Sequence, residues 1–324
     1  MALVAVSGAR AETPLRKSVL ILLADPPGRP MSTAVLEGIQ SEIHAADLSI
    51  AISTDFIPQV QPDVPGFEAT RLEWYKAKYH GVRFDAIIVF GPQPLRALVP
   101  WRQALWPDVP VVFCGISPGA YRELVPQTGF TGVYMATDLA TNLRIYHQLL
   151  PGVKRLALVG GASPADHAFN AAVPRVLRET GSSLEMLDLS GLPLDELKRR
   201  VAALPEHTII LILSYLYDPF GRPMFMPDLV STLRTVANAP IFETTDFSMG
   251  AGSVGGALTH FSWHGAAAAR ITLRILRGEK VSQIPVAESA HTSLEFDWRE
   301  LERWKISPAR LPAGSTVLYR PFNV

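Results

Sequence analysis

The sequence predicts an α/β protein of two Rossmann-like lobes with parallel sheets, joined by a hinge and enclosing an interlobe cleft. Three observations predict it. Short apolar, β-rich runs alternate with longer stretches of helical period, the rhythm of βαβ units. The alternation starts again near Arg155, giving two similar halves of about 130 residues each. No low-complexity linker separates them in a chain of 324 residues, so short crossovers, not a tether, connect the lobes.

Ser18 to Ala24 is continuously apolar, too short for a buried helix, and stopped by Pro26-Pro27-Gly28. It reads as a central strand covered on both faces. Ser32 or Thr33 is placed to cap a helix to about Ala45, with Val35, Ile39 and Ile43 spaced by four on one face. A strand at Leu48 to Ser53, a helix at Phe67 to Tyr79, a strand at Asp85 to Phe90, a helix after Pro92 and a strand at Val109 to Cys114 complete one lobe. The helix Asp138 to Leu150 leads to the strand Arg155 to Val159 and a second series. That series runs helix Asp166 to Thr180, strand Leu184 to Leu189, helix Pro193 to Leu204 and strand Thr208 to Ser214. Pro174 is expected to kink the first of these helices. A helix entered at Pro227 and closed by Asn238 and Pro240 precedes the strand Ile241 to Thr244.

Thirty Lys and Arg against thirty Asp and Glu leave a formal net charge of zero, so the field that draws proteins to nucleic acid is missing. The single cysteine, Cys114, excludes an internal disulfide. No stretch reaches the roughly eighteen apolar residues of a membrane-spanning helix. Met1 to Ala11 is small and apolar and ends in Ala9-Arg10-Ala11, an A-x-A pattern. The expectation for residues 1–16 is the remnant of an export signal, or else a disordered start.

Ligands of open parallel sheets sit beyond the carboxyl ends of the strands, where loop amides and helix N-termini converge. That rule nominates Ser32, Gly91, Gly115, Ser163, Ser214 and Asp246. The stretch Ile209 to Pro219 adds Tyr215 and Asp218, and Phe242 to Phe247 adds Phe247 beside Asp246. An acid with an aromatic at two strand ends suits a planar or amine-bearing ligand, although the same aromatics would serve to pack an interface and the acids to cap turns.

Other motifs fail on their own chemistry. Gly115-Ile116-Ser117-Pro118-Gly119 fits the nucleophile elbow G-x-S-x-G, but Pro118 has no N–H to give an oxyanion hole, so a Gly/Pro turn is the better reading. Gly250 to Gly255 fits G-x-G-x-x-G, yet a strand follows it, with the next helix near His264, so it reads as a hinge or cleft loop. His260 and His264 would not share a helical face, and no third ligand accompanies them, so they read as solvated or hydrogen-bonded. Cys114 reads as a small buried hydrophobe. No cofactor or metal is implied.

Several stretches together resemble a known family: Leu192-Pro193-Leu194, Leu213-Ser214-Tyr215 to Asp218, Asn238-Ala239-Pro240-Ile241, and Asp246 through Val254-Gly255-Gly256. Asp297 to Trp304 and Leu311-Pro312-Ala313-Gly314-Ser315 continue the pattern. The chain after Lys17 resembles the substrate-binding-protein-like family of ABC transporter components with the type I periplasmic-binding fold, in the version used as extracytoplasmic sensor domain of bacterial histidine kinases. The resemblance implies lobes at 17–133 plus 256–324 and at 134–255, closing on a small molecule, with Ser214, Asp218 and Asp246 near the cleft. It implies a non-enzymatic, periplasmic or otherwise extracytoplasmic protein, either free-standing or the ectodomain of a longer receptor. A membrane permease or a sensor kinase is the expected partner, and an amino-acid-like or aromatic molecule the expected ligand. The competing readings are an α/β hydrolase-type enzyme using Ser117 or Cys114, and a ligand-free scaffold for protein contacts.

Overall fold

The computed structural model describes residues 16–25, 28–57, 65–125, 128–135, 138–288 and 292–321. The expected export-signal remnant, apart from Arg16, lies outside the described residues, as do Pro26 and Pro27. Two compact units are present. The first holds the described residues of Met1–Pro58, Pro62–Tyr134 and Gly265–Ala287, the second those of Met135–His264 and Glu288–Val324.

The first unit is built from β1 (Lys17–Leu23), α1 (Pro30–His44), β2 (Ile50–Phe56), α2 (Phe67–Lys78), β3 (Ala86–Phe90), α3 (Pro92–Leu105), β4 (Val111–Ile116), α4 (Pro118–Leu124) and β5 (Phe130–Tyr134). The second opens with α5 (Leu139–Leu149), β6 (Arg155–Gly160), α6 (Pro164–Asn170), α7 (Ala172–Glu179) and β7 (Glu185–Asp188). It continues through α8 (Leu194–Val201), β8 (Thr208–Ser214), α9 (Met226–Arg234), β9 (Ile241–Glu243) and β10 (Gly255–Thr259). The chain then runs through α10 (Phe261–Leu276) to the short β11 (Ala287–Glu288), and on through β12 (Thr292–Asp297), α11 (Trp298–Arg303) and β13 (Thr316–Leu318).

Sheet order in the first unit is β11-β5-β4-β3-β1-β2. As its unbroken apolar run requires, β1 is interior, paired in parallel with β2 on one side and β3 on the other. Its residues from Val19 to Leu23 are fully buried, whereas edge strand β2 is mostly half-exposed. The second unit's parallel sheet runs β7-β6-β8-β9. Strand alternation divides its core: Leu156, Leu158, Ile209 and Leu211 pack on one face, Ala157, Val159, Ile210 and Ile212 on the other. A third sheet, β10-β12-β13, pairs β10 antiparallel to β12, from Gly255 opposite Phe296 to Thr259 opposite Thr292.

The structure corrects several expectations. Of residues 256–324, expected in the first unit, only Gly265–Ala287 join it; 256–264 and the described part of 288–324 belong to the second, where β12 pairs with β10 and β13 with β12. Helix α1 begins at Pro30, not at a Ser32 or Thr33 cap: proline suits the first turn, where an N–H would have no partner, and Arg29 supplies no side-chain cap. The helix expected from Asp166 to Thr180 breaks at Ala171, and Pro174 then lies unstrained in the first turn of α7. Helix α4 and strand β5 were not anticipated. Among the described residues no helix is long and apolar enough to cross a membrane.

Candidate functional site

The carboxyl ends of the second unit's strands gather acidic and aromatic side chains. At β6 the chain turns into α6 through Ser163, which caps the helix and completes a capping box: Ser163 Oγ accepts from the Asp166 N–H at 3.2 Å, and Asp166 reaches back to the Ser163 N–H at 3.1 Å. Asp166 is wholly buried. Its carboxylate also accepts from Ser163 Oγ at 2.7 Å, Ser214 Oγ at 2.6 Å, and the Leu216 and Tyr217 N–H groups at 2.8 and 3.4 Å. One carboxylate thereby ties the N-terminus of α6 to the loop after β8. Ser163 and Ser214 are brought together by a residue the sequence reading took only as a helix start, and the N-terminus of α6 already holds an internal anion.

Beyond β9, Asp246 is partly exposed, at 28% of its side chain, and its Oδ2 lies 2.8 Å from His260 Nδ1. Beside it Phe247 stacks on Phe261, with ring centroids 4.9 Å apart. His260, between β10 and α10, also contacts Ser293 and Glu295 of β12. At the end of β9, Glu243 is fully buried and accepts from Ser248 Oγ at 2.9 Å. Burial pushes the Glu243 carboxyl up to about 8, against the pull of the Ser248 and Ser253 hydroxyls, which favours its neutral form.

The other expected residues make contacts within their own units. Tyr215 is buried and donates to the Leu192 carbonyl at 3.1 Å, and burial, with Asp218 and Asp166 adding, raises its hydroxyl to about 12. Asp218 closes its own turn, accepting from the Phe220 and Arg222 N–H groups at 2.9 Å and from Arg222 Nε at 2.7 Å. Burial works to raise its pKa, and the hydrogen bonds from Arg222 and Phe220 outweigh it, holding the carboxyl below its ordinary value. The glycine loop is pinned by the C-terminal segment: Arg299 Nη2 donates to the Gly250 carbonyl at 3.0 Å, and Tyr319 donates to that of Met249 at 3.3 Å.

In the first unit, Ser32 is buried in α1 and donates to the Asp25 carbonyl at 2.9 Å. Gly91 caps α3 and its N–H donates to the Cys114 carbonyl at 3.0 Å. Gly115 has φ +70°, and a Cβ there would lie 2.2 Å from the Phe90 ring, so close packing and backbone conformation both require glycine. Ser117 Oγ accepts from the Ala120 N–H at 3.2 Å as the cap of α4, whose first residue is Pro118. Cys114 has no exposure, and burial raises its thiol to about 12, far from the range of a reactive thiolate. The serine and cysteine of the hydrolase reading therefore have structural roles. No group of three or more His, Cys, Asp or Glu among the described residues is placed to hold a metal ion.

No family model and no curated protein matches this sequence. Solved structures do. An ABC domain in complex with L-Trp from Streptococcus pneumonia matches with a TM-score of 0.67 at 15% identity, over 94% of this chain and 100% of that one. A ligand-free, open substrate-binding protein with adhesive properties from Clostridium difficile gives 0.64 at 16% identity, over 93% and 99%. A putative LacI transcriptional regulator from Bacteroides fragilis gives 0.60 at 10% identity, over 89% and 99%. Likeness of this extent and low identity establishes the fold: the chain has the type I periplasmic-binding architecture that its sequence resembles.

Proposed function

We propose that this chain is a non-enzymatic receptor for a small molecule, working outside the cytoplasm as the solute receptor of an ABC transporter or as the ligand-sensing domain of a histidine kinase-type receptor. The observation that carries the reading is Asp246: its side chain is partly exposed beyond β9, its Oδ2 is held by His260, its Oδ1 is buried with no hydrogen-bond partner among the described residues, and the next residue, Phe247, stacks on Phe261. An anionic acceptor beside aromatic faces suits a ligand with an ammonium group and a planar side chain. A protein of the same fold was solved with L-Trp, which has both features. The chain passes between the two units at Tyr134–Met135, His264–Gly265 and Ala287–Glu288, and closure about such connections is the proposed mechanism. Ligand contacts made only in the closed form shift the population toward it.

A thermal-shift screen of the purified protein over amino acids, aromatic acids and purines tests the reading. An amine-bearing aromatic compound at a hundred times its Kd stabilises the protein by about 2.7 kcal/mol. Asp246→Ala is expected to remove that shift while leaving the melt of the ligand-free protein cooperative. A panel in which nothing raises the melting temperature, or an Asp246→Ala variant that retains the full shift, overturns the proposal.

A further inference from the structure

The imidazole of His260 is bracketed by acceptors on both sides. Its Nδ1 faces Asp246 Oδ2 at 2.8 Å, while its Nε2 faces Ser293 Oγ at 2.5 Å and Glu295 Oε1 at 3.3 Å. Ser293 Oγ lies 2.7 Å from Glu295 Oε1, and when its one hydroxyl proton goes to that carboxylate it offers His260 only lone pairs. A neutral imidazole has one N–H and would aim a lone pair at acceptors on the other side, whichever tautomer formed. With the Ser293 proton donated to Glu295, the imidazolium is the form that satisfies both nitrogens. Trp263 of α10 lies flat on the ring, with centroids 4.2 Å apart and planes at 28°, a stack that favours a cation.

The groups facing this histidine come from every element around it: Asp246 from the loop after β9, Ser293 and Glu295 from β12, and Trp263 from α10. Glu243, three residues before Asp246, interacts with it electrostatically. Among the described residues neither Asp246 nor Glu295 forms an ion pair with a lysine or arginine; each has His260.

We infer that His260 is a positioning residue, carried as an imidazolium, which clasps Asp246 between the loop after β9 and strand β12 and sets it for an amine-bearing ligand. The inference rests on Asp246 being the ligand-binding acid. Burial of the ring works against its charge, and the hydrogen bond and charge of Asp246, with those of Glu295, outweigh it, so the His260 pKa stands above the ordinary histidine value. Charge alone predicts that losing this proton would strengthen attraction to an ammonium. Positioning predicts the reverse, since a neutral ring has one N–H and no longer clasps Asp246 to the β12 acceptors.

Nitrogen-15 NMR of the histidine-labelled full chain decides the clasp without any ligand. Both His260 ring nitrogens are expected to be protonated at pH 6.5, with a titration midpoint above that value, and Asp246→Asn is expected to lower the midpoint. A neutral tautomer at pH 6.5 overturns the clasp. Calorimetric titration with L-tryptophan from pH 5.5 to about 8, where its ammonium stays largely charged, then tests positioning. Affinity is expected to fall at least about threefold across the His260 midpoint, a dependence absent from His260→Gln. Affinity that is flat or rises with pH overturns the positioning role. If L-tryptophan and the other amine-bearing compounds do not bind while both nitrogens are protonated, the clasp stands and it is the ligand-binding reading of Asp246 that fails.

Discussion

The two parallel sheets meet the chain's turns with opposite chemistry. In the first unit the carboxyl ends of β1, β3 and β4 are closed by small and apolar contacts: Gly91 with its Cβ position 3.0 Å from Ala24, Gly115 against Phe90, and Cys114 without exposure. In the second, the corresponding ends carry Asp166, Asp218, Glu243 and Asp246, with His260 bound to the last. Both arise from the same strand-to-helix crossovers, so topology alone does not select a site. What differs is how the buried charge is satisfied. Asp166 receives five donors and is structural, whereas Asp246 has a single ion-pair partner, is partly exposed, and keeps capacity for another group. The first unit's ends are closed by packing, while the second unit's ends carry the acids on which the proposed site rests.

The sharpest way to break this contrast is to remove the charge at the centre of the second unit. Asp166→Ala leaves five donors facing an apolar methyl group, and is expected to cost about 3–5 kcal/mol in urea unfolding. A loss below about 1 kcal/mol would mean that the network contributes little. In the first unit, Gly115→Ala combines a left-handed backbone with a Cβ driven into Phe90, for an expected loss of about 1–3 kcal/mol in the same assay. An unchanged midpoint would show that the Phe90 ring yields freely.

Glu243→Gln sharpens the comparison through pH. With its folded pKa raised from 4.5 to about 8, Glu243 keeps its proton in the native state across a range where the unfolded chain releases it. Wild-type stability therefore declines across that window as pH rises, and the glutamine variant, which has no proton to lose, gains on it until about pH 8. A stability difference between the two that does not change with pH contradicts a neutral Glu243. The smallest effect belongs to Ser117→Ala, which removes the cap of α4 and should cost about 1 kcal/mol without altering ligand affinity. Any loss of binding in that variant would return Ser117 to the functional residues.

Local pattern carried much of the fold into the sequence. The apolar run of β8 ends at Ser214 where the structure ends it, and α2 begins at Phe67 as its periodicity indicates. The spacing Ser163-x-x-Asp166 after an apolar strand is a capping-box signal that points to Asp166, but only its local half is visible. The donors from Ser214, Leu216 and Tyr217 come from about fifty residues away, and no local rule sees them. The sequence reads His260 as solvated or hydrogen-bonded but does not name its partners, because Asp246, Ser293 and Glu295 meet only through the antiparallel pairing of β12 with β10. The same non-local pairing returns residues 288–324 to the second unit. Ser163, Ser214 and Asp246 were legible as strand-end residues, while the distinction between a satisfied acid and an available one needed three dimensions.

The central claim is that Asp246 belongs to a site that holds a small molecule and leaves it chemically unchanged. Native mass spectrometry of the full chain, titrated with amine-bearing aromatic compounds, tests it most directly when wild type is compared with Asp246→Ala. The account predicts one ligand of unaltered mass per wild-type chain, and none on the variant. Equal occupancy of both proteins, no occupancy of either, or release of a compound of changed mass would contradict it.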